Sequence, residues 1–282
     1  METRRAISRL SGIGHSSPVE IDAPPKVFTQ STQALVPPRP RQNLSRQQRR
    51  RVKYEGLELR TVAVVALKGG SGKTTVATHL ALAAHLRGLN VLVVDTDPQR
   101  SARDVLSSRS EAGPSCLTVT GPRLMAAQFA AVDEGRRLLV IDTPAGSVED
   151  VTEAIVLADL TILVVRPTLL DLAGMARTFK IVRRLGKPAT VVMNQAPVTR
   201  EGSETPLVKR MLAGLEYMQA PVAPVILRYR SVYQTALERG RSAEETSDRV
   251  AGKEIAELWD FVRARLDLEA RAADQPSGVP LS

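Results

Sequence analysis

Three short stretches, Thr61-Val-Ala-Val-Val-Ala-Leu67, Val91-Leu-Val-Val94 and Leu138-Leu-Val-Ile141, are almost wholly apolar, rich in branched side chains, and followed at once by polar residues. Continuous runs of this length suit parallel strands covered on both faces, because a strand with one wet face alternates polar and apolar positions. Leu163-Val-Val-Arg-Pro167, Val191-Val-Met-Asn194 and Ala223-Pro-Val-Ile-Leu227 read as further strands. The pattern predicts strands near residues 61–67, 91–95, 116–120, 138–142, 160–166, 189–194 and 223–227.

Helical spacing appears between and after these runs. Residues 76–86 form a mostly apolar helix that stops near Gly88. Residues 206–215 are amphipathic, with Lys209 and Arg210 toward solvent, and residues 231–239 are helix-like. Over residues 251–270, Ile255, Leu258, Trp259, Val262 and Leu266 share one face, a stripe suited to docking on a sheet. Strands alternating with helices predict one α/β domain over residues 59–270, a doubly wound, mostly parallel sheet flanked by helices.

Outside that span the periodicity fades. Residues 1–58 are polar and punctuated by Pro18, Pro24, Pro25, Pro37, Pro38 and Pro40, which predicts a disordered extension; residues 271–282 predict a flexible tail. Through Lys53 the extension holds eleven Lys/Arg against three acids, so it carries +8 of the total +9 and leaves +1 for the rest of the chain. Such a segment either keeps the protein soluble or contacts DNA or an acidic partner. Its densest part, residues 45–53, suits a short basic helix on DNA capped by Ser45, or an arginine-bearing activator of the domain's own activity.

Composition narrows the setting. With 282 residues and 43% hydrophobic content, the chain can bury a full α/β core. Cys116 is its one cysteine, which excludes an intrachain disulfide framework and points to a reducing cytoplasm. No uncharged run approaches the roughly eighteen residues of a membrane span, and Arg4 and Arg5 precede no apolar core of a secretory signal.

The chemistry lies behind the strands. After the first comes Lys68-Gly69-Gly70-Ser71-Gly72-Lys73-Thr74-Thr75, a glycine loop opening a helix. Strand, glycine loop and helix together turn backbone N–H groups and the positive helix end toward a phosphate. Lys73 is placed for the β- and γ-phosphates of a nucleotide and the Thr74 hydroxyl for Mg²⁺. The second strand ends in Asp95-Thr-Asp97-Pro98-Gln99 and the third in Asp142-Thr143-Pro144. Any one of these acids alone would pass for a helix cap or a solvated charge. Three at the carboxyl ends of strands gather in the crevice where open α/β sheets bind ligands, and Mg²⁺ prefers carboxylates, waters and phosphates.

The glycine loop departs from the usual phosphate loop, with Leu67 where the first glycine belongs and Lys68 as a second lysine. This pattern, K-G-G-x-G-K-T, resembles the deviant Walker A loop of the ParA/MinD family of dimeric ATPases. The 95–99 segment resembles that family's switch I, and the 142–144 segment its Walker B and switch II. The resemblance implies a P-loop NTPase fold, ATP and Mg²⁺ as ligands, Asp95 and Asp142 holding the metal through waters, and Asp97 orienting the attacking water. It implies that Lys68 reaches across a nucleotide-sandwich homodimer to the partner's phosphates. Asn194 would meet adenine, its amide able to donate and accept, unless it caps the turn that follows. Lys209, Arg210, Arg228 and Arg230 fall in segments where relatives bind nonspecific DNA, the alternative being a solvated helix face.

The family resemblance leads to an expected function. A partition ATPase would dimerise on ATP, bind DNA on the nucleoid, and be released when a ParB-like centromere-binding activator stimulates hydrolysis. Two alternatives remain: positioning of a protein cargo or conjugative-transfer complex, and a nucleotide-gated DNA-binding regulator. A membrane partner is not expected, because residues 274–282 lack the basic amphipathic character of MinD-like tails. One cysteine excludes a cluster-bearing reductase that needs two thiolates per chain. Tyr217, Tyr229 and Tyr233 lie inside the domain, unlike the tail cluster of tyrosine-kinase relatives.

Overall fold

A computed structural model describes residues 59–199 and 201–268. The extension and tail expected at the two ends lie outside those residues.

Seven strands form one sheet: β1 (Arg60–Val65), β2 (Val91–Asp95), β3 (Ser115–Thr118), β4 (Leu138–Asp142), β5 (Leu160–Val165), β6 (Ala189–Ala196) and β7 (Val222–Arg228). Their spatial order is β3-β2-β4-β1-β5-β6-β7, and every pairing is parallel. Successive side chains of β1 divide between the two faces, Val62 and Val64 entering one core and Ala63 and Val65 the other. Burial on both faces is why β1, β2 and β4 read as unbroken apolar runs.

Eight helices are described: α1 (Lys73–Leu86), α2 (Ser101–Ser107), α3 (Leu124–Asp133), α4 (Val148–Leu157), α5 (Leu169–Leu185), α6 (Pro206–Tyr217), α7 (Val232–Leu237) and α8 (Arg249–Arg265). Helix α1 begins at Lys73, inside the glycine motif, and α8 ends before residue 270, closing where Asp267 turns left-handed at φ 51°. The expected stripe on α8 is fully buried, with Trp259 in the core shared by α1 and the sheet. Helices α3 to α6 cover the opposite face. Chain order reverses around β1, which has β4 on one side and β5 on the other. The crevice opened by that reversal is where such sheets bind ligands, and the glycine loop leaves β1 directly into it.

Candidate functional site

The loop after β1 holds an open anion cradle. Gly70 and Gly72 sit at φ 75° and 88°, backbone that an L side chain rarely adopts. Gly72 is the N-cap of α1, and with no side-chain cap and no acid in the first turn the helix presents free N–H groups and its positive dipole end. A methyl group on Gly72 would run into the Asn194 amide.

Asp95 and Asp142 end adjacent strands as register partners. Asp95 is fastened from below: its Oδ1 accepts from the Asp97 N–H at 3.0 Å and its Oδ2 from the Arg103 N–H at 3.1 Å. Asp142 is fully buried, and neither of its oxygens makes a hydrogen bond of normal geometry. Burial pushes its carboxyl up to about 7; the nearby Thr74 hydroxyl and Lys73 pull it down, while Asp95 and Asp97 add to the rise. Lys73 answers from α1, its ammonium lowered by burial but supported by Asp142 and Asp97. An unsatisfied buried carboxylate beside a hydroxyl and a second carboxylate fits a hard divalent cation. Among the described residues no cluster of three acid, histidine or cysteine ligands stands ready by itself.

Asp97 is half-buried at the crevice mouth, where its Oδ1 accepts from the Gln99 N–H at 2.9 Å. Asn194, at the end of β6, is buried and donates from Nδ2 to the Ser71 carbonyl at 2.9 Å, which braces the loop and leaves Oδ1 as an acceptor. Lys68 is partly exposed, its ammonium 2.8 Å from Asp171 on α5. Thr74 and Thr75 open α1 beside Lys73.

The four basic residues expected to face DNA divide into two pairs. Lys209 and Arg210 are exposed on α6. Arg228 donates to Glu204 at 2.9 Å and to the Pro197 carbonyl at 3.0 Å, and Arg230 pairs with Glu254 at 2.7 Å, so both arginines already have carboxylate partners.

Three contributors escape sequence reasoning. Gln195 adopts φ 53° and donates to the Gly70 carbonyl at 3.3 Å, a strained residue spent on the loop. Asp171 gathers Lys68 and Arg166; its only sequence signal is Thr168-x-x-Asp171, a capping pattern, which the Thr168 hydroxyl fulfils by accepting the Asp171 N–H at 3.1 Å. His79, buried in α1, donates from Nε2 to the Tyr233 carbonyl at 3.2 Å and accepts the Ala243 N–H at Nδ1 at 3.3 Å, tying the phosphate-loop helix to α7.

The CobQ/CobB/MinD/ParA nucleotide-binding domain matches residues 62–243, well over half of the chain. The chain belongs to this family. The maintenance of carboxysome distribution protein A of Halothiobacillus neapolitanus is 26% identical over 215 residues, covering 72% of this chain and 95% of that protein. Protein virC1 of Rhizobium radiobacter is 28% identical over 187 residues, covering 62% of this chain and 79% of that protein. The chromosome-partitioning ATPase Soj of Thermus thermophilus is 45% identical, but over 56 residues, 20% of this chain and 22% of Soj. Among solved structures, an ATP complex of a McdA variant from Cyanothece superposes with TM-score 0.60 at 18% identity, covering 77% of this chain and 99% of that one. MinD from Pyrococcus furiosus gives 0.57 at 20% identity, with 73% and 98% covered. These structures share the parallel-sheet fold. The family member described here thus carries a nucleotide-binding domain, and among the described residues no helix is long and apolar enough to cross a membrane.

Proposed function

We propose that this protein is an ATPase that dimerises on ATP, binds nonspecific DNA in that state, and positions a cargo on the nucleoid in the cytoplasm until a partner protein triggers hydrolysis. The observation that carries this reading is one loop with two lysines of opposite disposition. Lys73 is buried among the acids at an uncapped helix end, and Lys68 is 38% exposed and turned to Asp171 on α5.

The cradle of N–H groups from Gly69 to Thr75 and the Lys73 ammonium hold the β- and γ-phosphates. Thr74, Asp95 and Asp142 hold Mg²⁺, which when bound neutralises charge on the phosphates. Asp97, at the mouth and already oriented by its turn, aligns the attacking water. Asn194 offers Oδ1 to the adenine amino group. Lys68 meets the γ-phosphate of a second copy's nucleotide and stabilises the charge that spreads there during transfer, much as an arginine finger does. Hydrolysis therefore depends on dimerisation. Lys209 and Arg210 supply phosphate contacts to DNA.

The first reading of the cargo is a plasmid or chromosome, with a ParB-like centromere-binding activator. A second reading, a protein assembly, is favoured by the length of the match to the carboxysome distribution protein, against a Soj match confined to 56 residues. Steady-state ATP turnover with duplex DNA, with and without the product of a neighbouring gene, tests both. Turnover that rises with a DNA-sequence-specific partner supports partition. Absence of turnover under all conditions leaves a nucleotide-gated regulator.

A further inference from the structure

Lys68 is not free in the single chain. Its ammonium lies 2.8 Å from Asp171 Oδ1, and its Cβ lies against Gly174, one turn further along α5. The Asp171 carboxylate is 2% exposed and has a second cation: Arg166 donates from Nε to Oδ2 at 2.8 Å, from Nη2 to Oδ1 at 3.1 Å, and from its backbone N–H to Oδ2 at 3.1 Å. Of the four donors on this carboxylate, three belong to Arg166.

That arrangement solves a physical difficulty. A buried carboxylate that loses its partner is strongly destabilising, so a lysine tied to one would be costly to move. Here the bidentate arginine stays when the lysine leaves, and the anion is never orphaned. The same turn of α5 exposes Leu169 and Leu170 at 79% and 70%, apolar area that a second copy docking over the loop would cover.

We propose that Asp171 is the positioning residue for Lys68: it holds the ammonium on its own protomer until a second copy's nucleotide draws it away, with Arg166 as the stand-in that keeps release cheap. This rests on the reading that Lys68 acts across a dimer. Asp171 thereby sets how much ATP and protein are needed for dimerisation.

Sedimentation of the full chain with a nonhydrolysable ATP analogue and Mg²⁺ tests it, using wild type, Asp171→Asn, Arg166→Gln, Lys68→Ala and the Asp171→Asn/Lys68→Ala double variant. Asp171→Asn should lower the protein concentration for half-dimerisation by about fivefold, the scale of one partly exposed ion pair, and Arg166→Gln should raise it. Asp171→Asn should add nothing in the Lys68→Ala background. A gain that persists without Lys68, or a loss in Asp171→Asn as well as in Arg166→Gln, overturns the proposal while leaving the dimer reading intact. Wild type that stays monomeric with the analogue removes both.

A second readout covers the case in which Asp171→Asn folds poorly. Acetylation of Lys68, followed by mass spectrometry in nucleotide-free protein, should slow in Arg166→Gln, where Asp171 has only the lysine left. Faster acetylation in that variant would mean that Arg166 merely braces the loop, and would overturn the proposal.

Discussion

Asp95 and Asp142 stand side by side as register partners at the ends of β2 and β4, yet one is hydrogen-bonded by two backbone N–H groups and the other by none of normal geometry. The fold spends its local donors on Asp95 and leaves Asp142 to be satisfied from outside. Asp142→Asn removes a buried charge without a normal hydrogen bond and should raise the stability of metal-free protein at pH 8 by about 1 kcal/mol, the lost attraction to Lys73 offsetting part of the gain. The same variant should lose Mg²⁺-dependent ATP hydrolysis. Thermal melts with and without Mg²⁺-ATP check both, and a variant that is destabilised and still active would contradict the assignment.

Gly72→Ala tests the cradle. The new methyl group meets the Asn194 amide, and φ 88° is strained for alanine. ATP affinity should fall by at least about tenfold, the equivalent of 1–2 kcal/mol of strain. Equilibrium titration with an ATP analogue checks this, and unchanged affinity would contradict the cradle. Lys73→Ala should abolish ATP binding, and retained tight binding would undo the loop assignment.

His79 predicts an acid-sensitive fold. Its two partners, a carbonyl at Nε2 and an N–H at Nδ1, are both satisfied by one neutral tautomer, and a proton on Nδ1 would face the Ala243 N–H. Burial lowers its pKa from 6.5 to about 4. A depressed folded value means that the unfolded chain takes the proton first. Stability from this group is therefore present above pH 6.5 and is lost as pH falls toward about 4, on the order of 3 kcal/mol. Urea titrations between pH 7 and pH 4 should show wild type losing stability relative to His79→Gln as pH falls, the difference isolating His79 from groups such as Asp142 that titrate in both proteins.

The basic residues separate by their partners. Lys209→Ala and Arg210→Ala should each reduce the salt dependence of DNA binding by about 0.9 per lost phosphate contact, with thermal stability unchanged. Arg228→Ala breaks the pair with Glu204 and the bond to the Pro197 carbonyl, and should destabilise the fold by about 1–2 kcal/mol. Fluorescence anisotropy across a salt series, paired with melting curves, distinguishes the two effects.

What could be read from the sequence follows from which forces act locally. The strands announced themselves because a parallel strand buried on both faces leaves an unbroken apolar run, and the glycine loop because its backbone demands glycine. Helices α2 to α5 went unmarked. In α3, Met125 and Phe129 remain exposed among buried alanines, so no clean stripe forms. The end of α8 came early because Asp267, not glycine or proline, takes the left-handed turn. Lys68 was legible as a second lysine, but its grip on Asp171 was not, since that contact exists only once β5 is laid beside β1. For the same reason, Arg228 and Arg230 looked available until β7 brought them to Glu204 and Glu254.

On this proposal ATP creates the DNA-binding form through Lys68. Binding to a random-sequence duplex, measured with ATP, with ADP and without nucleotide for wild type and Lys68→Ala, tests it most directly. Tight binding is expected with ATP alone and is expected to be lost in Lys68→Ala. Equal binding in all three nucleotide states, or ATP-dependent binding that survives Lys68→Ala, would contradict it.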